Sequence, residues 1–305
     1  ARRYIGPGGA PAPHLSATRG GALKKDVCDD ARLRSQFRPD LALPVSSVSS
    51  GTESVAFEQP LSERVRTFLR LEFLFSQYRH HRADKTSLGL RASLQALLDI
   101  LSVLSRSDLK NDILKDLSDQ HARLTKLAAR PGIDTSRLQG VLDQIAEAVN
   151  GMQQVGPQFA AALLRSNDFL NTVLNRYGIP GGTCAFDLPA YHYWLSEPHE
   201  KNRRDLDAWF ADVIPFERAI NLYVHLLRNS VEPIPQIAHG GMYIHTPQGA
   251  CTLLRVTVPL ADGVYPEISA GRHRFTVRFM DSGDVNARSL QATGDIRFHL
   301  QCCAL

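Results

Sequence analysis

A broad stripe of apolar residues between Glu58 and Tyr78 limits what this chain can fold into more than any other feature. Its members recur at helical spacing and include Leu61, Val65, Phe68, Leu69, Leu71, Phe73, Leu74 and Phe75. Such a pattern predicts an amphipathic α-helix with Pro60 in its first turn, where a missing N–H is tolerated. Because the stripe is wide, the helix needs cover on more than one side. We therefore predict that it is the central helix of a bundle.

The same helix carries two arginines, Arg66 and Arg70, one turn apart. A like-charge pair at this spacing costs roughly 0.2–0.5 kcal/mol on an exposed helix. Glu63 is placed to pair with Arg66, whereas no acidic residue stands three or four positions from Arg70. We therefore expect Arg70 to meet solvent, a carboxylate from elsewhere in the fold, or an anionic group of another molecule.

Helical patterns continue through most of the chain until Pro233 and Pro235 interrupt them. One of these helices is expected to begin at Pro157 and to end at Gly178, for which we expect a left-handed conformation. Beyond Gly241 the apolar residues recur with a period of two, which is typical of antiparallel strands with one buried face. We also expect the short segment 54–57 to join their sheet. The fold class is thus predicted to be α+β, mainly α. The predicted parts are a disordered extension (1–50), a helical bundle domain (59–232) and a small antiparallel β domain (53–58 with 240–303).

Residues 1–50 differ from the rest of the chain, since they are rich in Gly, Pro, Ala, Ser and Arg and lack any sustained period. Such a composition predicts disorder. Position 1 is not Met, so we also expect this extension to be sequence upstream of a non-ATG start codon near Val48 or Val55. It holds eight Lys/Arg and four Asp, which leaves 27 basic and 27 acidic residues elsewhere. A neutral body disfavours sequence-independent nucleic-acid binding, which needs excess positive charge.

Basic residues occupy the polar positions of the predicted strands. They are Arg255, Arg274, Arg278, Arg297 and His299, with no acid among them. Strand alternation predicts that they share one face of the sheet. This face is either an ordinary solvated surface or, as an alternative function, the docking surface of an adaptor for an acidic partner or nucleic acid, assisted by the basic extension.

No sequence motif for phosphate binding, hydrolysis, redox chemistry or zinc is present. Cys184, Asp187 and His192 form the one candidate nucleophile setting, but residues so close in sequence rarely converge on a thiol–imidazole pair. A metal site at His239 and His245 is equally weakly indicated. We therefore expect no enzymatic activity, no cofactor and no metal.

Five cysteines, Cys28, Cys184, Cys251, Cys302 and Cys303, lack the spacing of a disulfide or metal framework. This predicts reduced thiols. No run approaching about 18 apolar residues is evident, and the N-terminus has no apolar signal segment. We expect a cytoplasmic protein that does not contact membranes.

Several longer strings are more specific than these patterns. They are EQPLSERVRTFLRLEFLF, LLDILSVLSRSDLKNDILKDL, IPGGTCAFDLPAYHYWL, YPEIS with RHRFTVRFM, and the terminal pair Cys302-Cys303. Together, from about Val55 to Cys303, they resemble the ZapD family, cytoplasmic division proteins that bind and bundle filaments of the tubulin-like GTPase FtsZ. The resemblance implies a non-enzymatic homodimer that holds FtsZ C-terminal tails and promotes Z-ring assembly and septation at mid-cell.

The resemblance also implies that a charged pocket of the helical domain binds the FtsZ tail. Positions that match the family motifs are Arg70 in FLRLEF and His192 in DLPAYH. Further candidate cations are Arg66, Arg165 and Arg176. Asp168 stands where the family has an arginine, so the pocket departs from the family pattern there.

Overall fold

The structure, a computed structural model, describes residues 53–106, 108–128, 135–247, 249–271, 274–284 and 286–305. The predicted disordered extension at 1–50 lies outside these residues. All of the described residues belong to one compact unit. The predicted class, α+β and mainly α, is confirmed, whereas the domain boundaries stay a prediction.

Helices precede most of the strands along the chain. The helices are α1 (Glu63–Ala83), α2 (Ser87–Ser105), α3 (Leu109–Ala128), α4 (Thr135–Gln154), α5 (Phe159–Ser166), α6 (Asp168–Tyr177), α7 (Pro189–Ser196), α8 (His199–Phe210) and α9 (Ile214–Arg228). The strands are β1 (Ser54–Pro60), β2 (Ile234–Ala238), β3 (Met242–His245), β4 (Leu253–Pro259), β5 (Val264–Ala270), β6 (Phe275–Asp281) and β7 (Ile296–Cys303).

The central helix α1 follows the apolar stripe. Its N-cap is Ser62, whose side-chain oxygen accepts a hydrogen bond from the backbone N–H of Val65 at 3.2 Å. α1 packs against α2 and α9 and buries one side chain per turn. Pro60 was expected in the first helical turn, but it ends β1 instead, because that strand stays paired with β4 up to Leu253.

Helix α2 is the most apolar of the described helices that meet the length of a membrane span. By length and composition alone it could cross a bilayer, with a mean hydropathy of 1.4. This differs from the expectation that the chain has no apolar run approaching the length of a membrane span. However, 56% of that window is buried inside the protein. Its apolar faces are covered by α1, α5, α7 and α8, as in the core helix of a globular protein.

A single helix was expected between Pro157 and Gly178, but the chain forms two, α5 and α6. Asn167 separates them in an extended conformation, and its side-chain oxygen accepts from the backbone N–H of Leu170 at 3.0 Å. An Asn side chain that bonds the backbone in this way competes with a continuing helix. Gly178 was expected to be left-handed but has φ −73°, whereas Gly181 has φ 72°.

The strands form two antiparallel sheets rather than the single sheet expected. One has the order β1-β4-β7-β2 and the other β3-β6-β5. Their apolar faces pack together, with the ring centroids of Phe279 and Phe298 5.1 Å apart. Each sheet thus supplies the cover that the other needs. The strands after the helices begin at Ile234, earlier than the predicted boundary at 240.

A charged cluster, which we call the join, links the helices to the four-stranded sheet. It comprises Glu58, Glu72, Arg228, Arg255 and Gln301. Arg228 contacts both carboxylates, with its Nε 2.7 Å from Glu58 Oε1 and its Nη1 2.6 Å from Glu72 Oε1. Arg255 donates from Nε to Glu58 Oε1 at 2.8 Å and from Nη1 to Gln301 Oε1 at 2.9 Å.

Candidate partner-binding groove

Three helices, α1, α2 and α6, enclose a groove of about 470 Å³. Each helix contributes residues one turn apart, which is the spacing that places side chains on one helical face. The lining residues are Arg70, Phe73 and Leu74; Asp99, Ser102, Val103 and Arg106; and Leu174, Tyr177 and Gly178. We call this surface the Arg70 groove.

The floor of the Arg70 groove is apolar. Leu74, Val103 and Leu174 are partly buried there against the helical core. Phe73 leaves 62% of its surface exposed, although it belongs to the apolar stripe of α1. An exposed aromatic side chain beside partly buried aliphatic ones provides apolar surface that a partner can cover.

Two cations border this floor. Arg70 and Arg106 are both exposed, and neither forms an ion pair within the described part of the chain. Asp99 is the acidic residue of the groove and is half-buried. Burial raises the pKa of its carboxyl group, and a hydrogen bond from Gln95 opposes part of that shift. Burial, and then the charge of Asp99, raise the pKa of Tyr177.

The predicted site residues divide among several places. Arg70 lies in the groove, whereas His192 is exposed on α7 and is not among the groove residues. Arg165 and Arg176 are exposed on α5 and α6. Arg66 pairs with Glu63, as expected from the sequence. A role for any of them in binding stays a prediction.

Residues of the groove that sequence reasoning missed include Phe73, Asp99 and Arg106. The breadth of the α1 stripe was a signal for Phe73, because a stripe too wide for the available cover leaves a residue exposed. Asp99 also had a signal, since it stands alone between the buried residues Leu98 and Ile100. Arg106 also has no acidic residue three or four positions away, but sequence reasoning did not single it out.

The four arginines of the alternative site do not share one surface. Arg255 is engaged in the join, and Arg297 follows it on the outer face of the four-stranded sheet. Arg278 lies on the outer face of the three-stranded sheet, 3.8 Å from Glu267 on the neighbouring strand. Arg274 is exposed just before β6. The prediction of a single basic face is wrong, because the two sheets pack together and their outer faces point apart.

The candidate catalytic and metal residues make other contacts. Cys184 Sγ lies 3.4 Å from the carboxylate of Asp187 and donates to it. His239 pairs with Asp295 at 2.9 Å. Within the described ranges, no three His, Cys, Asp or Glu side chains gather as metal ligands would.

Comparison with known proteins gives one consistent result. The family model of ZapD, described as a cell division protein, matches residues 69–278. A protein named Cell division protein ZapD from Azoarcus sp. (strain BH72) is 38% identical over 252 residues, which cover 82% of this chain and 100% of that protein. Proteins of the same name from Methylococcus capsulatus (37% over 253 residues) and Coxiella burnetii (33% over 256 residues) are each covered to 98% of their length, and cover 82% and 83% of this chain.

Proposed function

Because the chain belongs to the ZapD family of cell division proteins, we propose that it binds the C-terminal tail of FtsZ and bundles FtsZ filaments. Family membership establishes the role in cell division. Tail binding, bundling and promotion of Z-ring assembly are the steps that we propose beyond it. The protein would act without enzymatic activity, cofactor or metal, in the cytoplasm at the mid-cell division site.

The observation that carries the proposal is the Arg70 groove. We propose that the short flexible tail binds as an extended segment, which fits an open groove better than a closed cavity. Phe73 offers exposed apolar surface to such a segment. Arg70 is an exposed guanidinium without a carboxylate partner in the described residues, so a carboxylate of the tail can pair with it at little desolvation cost.

Bundling requires two such grooves in one particle, and we propose a homodimer. A dimer that holds two tails joins neighbouring filaments. When one tail is bound, the second binding step becomes effectively intramolecular, so modest affinity for each tail is sufficient for strong cross-linking along a polymer.

The test is co-sedimentation with polymerised FtsZ at two salt concentrations. Arg70→Ala should weaken co-sedimentation about tenfold, because a hydrogen bond to a charged group contributes about 1.5–3 kcal/mol. His192→Ala, measured separately, tests whether the second family position takes part. Arg204→Ala is the matched control, because Arg204 is also exposed on a helix and, among the described residues, bonds only the backbone oxygen of Glu200.

Two results would redirect the proposal. Wild-type behaviour of both Arg70→Ala and His192→Ala would discard the helical site. Loss of co-sedimentation in Arg278→Ala or Arg297→Ala, with Arg70→Ala unaffected, would place the site on one of the sheets. Failure of the wild-type protein to pellet with FtsZ polymers would reject FtsZ binding itself.

A further inference from the structure

We propose that Asp99 binds a cationic side chain of the same tail segment whose carboxylate Arg70 holds. The groove then recognises a peptide that carries an apolar side chain together with both signs of charge, rather than any acidic tail. This inference rests on the proposed function and names the ligand chemistry of its site.

The position of Asp99 is the first observation that supports this role. It shares one face of α2 with Ser102 and Val103, Arg106 follows directly after the helix, and all four residues line the groove. Its neighbours in sequence, Leu98 and Ile100, flank it on the helix and are fully buried. The carboxylate is therefore held at the edge of the apolar core, where it is directed to the groove.

The second observation is that Asp99 forms no ion pair with a cation in the part of the chain that the structure describes. Three other carboxylates on the helices do have one: Asp116 lies 2.6 Å from Arg64, Asp207 lies 2.6 Å from Arg82, and Glu217 pairs with Arg79. No lysine or arginine in the described ranges forms such a pair with Asp99. A partly desolvated carboxylate without a counter-charge is stabilised when a ligand supplies one.

The geometry of α2 gives the ligand a charge spacing. Asp99 and Arg106 are two turns apart on one face, about 10 Å along the helix axis at 1.5 Å per residue. An extended peptide covers that distance in about three residues. A tail that carries an aspartate, a glutamate or a terminal carboxylate about three residues from the lysine or arginine at Asp99 can therefore also pair with Arg106, the second cation of the groove.

The experiment measures the affinity of a labelled peptide with the FtsZ C-terminal tail sequence of the same host. Asp99→Asn should weaken binding about tenfold, because it replaces a charge-assisted contact with a neutral one while keeping the side-chain shape. Asp143→Asn is the matched control. Asp143 also accepts a hydrogen bond from a glutamine four residues earlier, Gln139 at 2.8 Å, but it lies on α4, outside the groove.

A second peptide, with its lysines and arginines replaced by glutamine, completes a double-mutant cycle. It should bind wild-type protein about tenfold more weakly, and Asp99→Asn should cause no further loss. The comparison of the two peptides on wild-type protein remains informative even if Asp99→Asn fails to fold. Thermal unfolding of the variant would reveal such a failure.

Three outcomes overturn the inference. Unchanged or tighter binding of the native peptide by Asp99→Asn would mean that Asp99 is structural or repels an acidic tail. Equal binding of both peptides by the wild-type protein would mean that no cation is recognised. If wild-type protein binds neither peptide, the proposed function fails as well, and this separates it from the first two outcomes.

Discussion

The join and the Arg70 groove use the same side chain in opposite ways. In the join, Arg228 and Arg255 are partly buried and each meets a carboxylate within 2.8 Å. In the groove, Arg70 and Arg106 are exposed and meet none among the described residues. Burial accounts for the difference, because a desolvated charge without a partner costs several kcal/mol whereas a solvated one does not.

This difference shows which arginines can still form favourable contacts with a binding partner. Carboxylates already fill the donor positions of Arg228, so a partner gains little by approaching it. No carboxylate in the described ranges pairs with the guanidinium of Arg70, which lines the groove together with the exposed side chain of Phe73. We therefore expect substitutions in the join to change the free energy of unfolding, and substitutions in the groove to change binding.

The largest effect on stability is expected from Glu58→Gln. Glu58 is 19% exposed and accepts from two arginines, so its loss leaves both without their shared carboxylate. We expect a loss on the order of 3 kcal/mol in the free energy of unfolding, measured by urea denaturation. Glu63→Gln, which breaks the exposed pair with Arg66, is the control and should cost roughly 0.2–1 kcal/mol. Equal losses would show that the join is only a surface pair.

A smaller effect on the free energy of unfolding is expected when the pH is lowered into the acidic range. Burial alone raises the pKa of Glu58, but hydrogen bonds and charge from Arg228, followed by Arg255, outweigh it and lower the pKa below its ordinary 4.5. The unfolded chain then takes up the proton more readily. The ionised Glu58 side chain thus contributes its full share to the stability of the fold above about pH 4.5. This share is lost as the pH falls through the lowered pKa that Glu58 has in the folded protein.

Urea denaturation of the wild type and Glu58→Gln across this range checks the sign. The difference in stability between them should shrink as the pH falls. A difference that stays constant from neutral to acidic pH would contradict the lowered pKa.

The smallest effect on stability is expected in the groove, from Phe73→Ala. Because Phe73 is already exposed, the free energy of unfolding should change by less than about 0.5 kcal/mol. Binding of the FtsZ tail peptide should nevertheless weaken about tenfold, since covering an aromatic side chain contributes about 1.5 kcal/mol or more. Leu88→Ala removes another exposed apolar side chain, outside the groove residues, and should change neither quantity. A marked loss of stability in Phe73→Ala would show that the ring belongs to the core.

Local patterns predicted the elements of this fold well. The stripe of α1 indicated a central helix because burial follows the helical period within one segment. The change to a period of two located the later strands for the same reason. The start of α1 was misplaced, since Pro60 belongs to a strand whose partner is about 190 residues away in sequence. The second sheet was missed because alternation shows that one face is buried but not what covers it.

The candidate site was predicted only in part. The missing acid near Arg70 could be read from the chain, because neighbours on a helix surface are set by sequence spacing. The ion pair of Arg255 could not be predicted from the sequence, since its carboxylate partner, Glu58, is 197 residues away. The sequence also could not predict that Phe73 and Asp99 line the same groove, because this depends on how α1 and α2 pack.

The sequence by itself thus determined the class of the fold, its central helix and the absence of a local acid beside Arg70, because each depends on residues within a few turns. Only the tertiary structure decided which arginines are paired and which line a groove. That distinction depends on which segments, distant in sequence, pack against one another. Where packing removes a charged side chain from water, that side chain needs a partner of opposite charge.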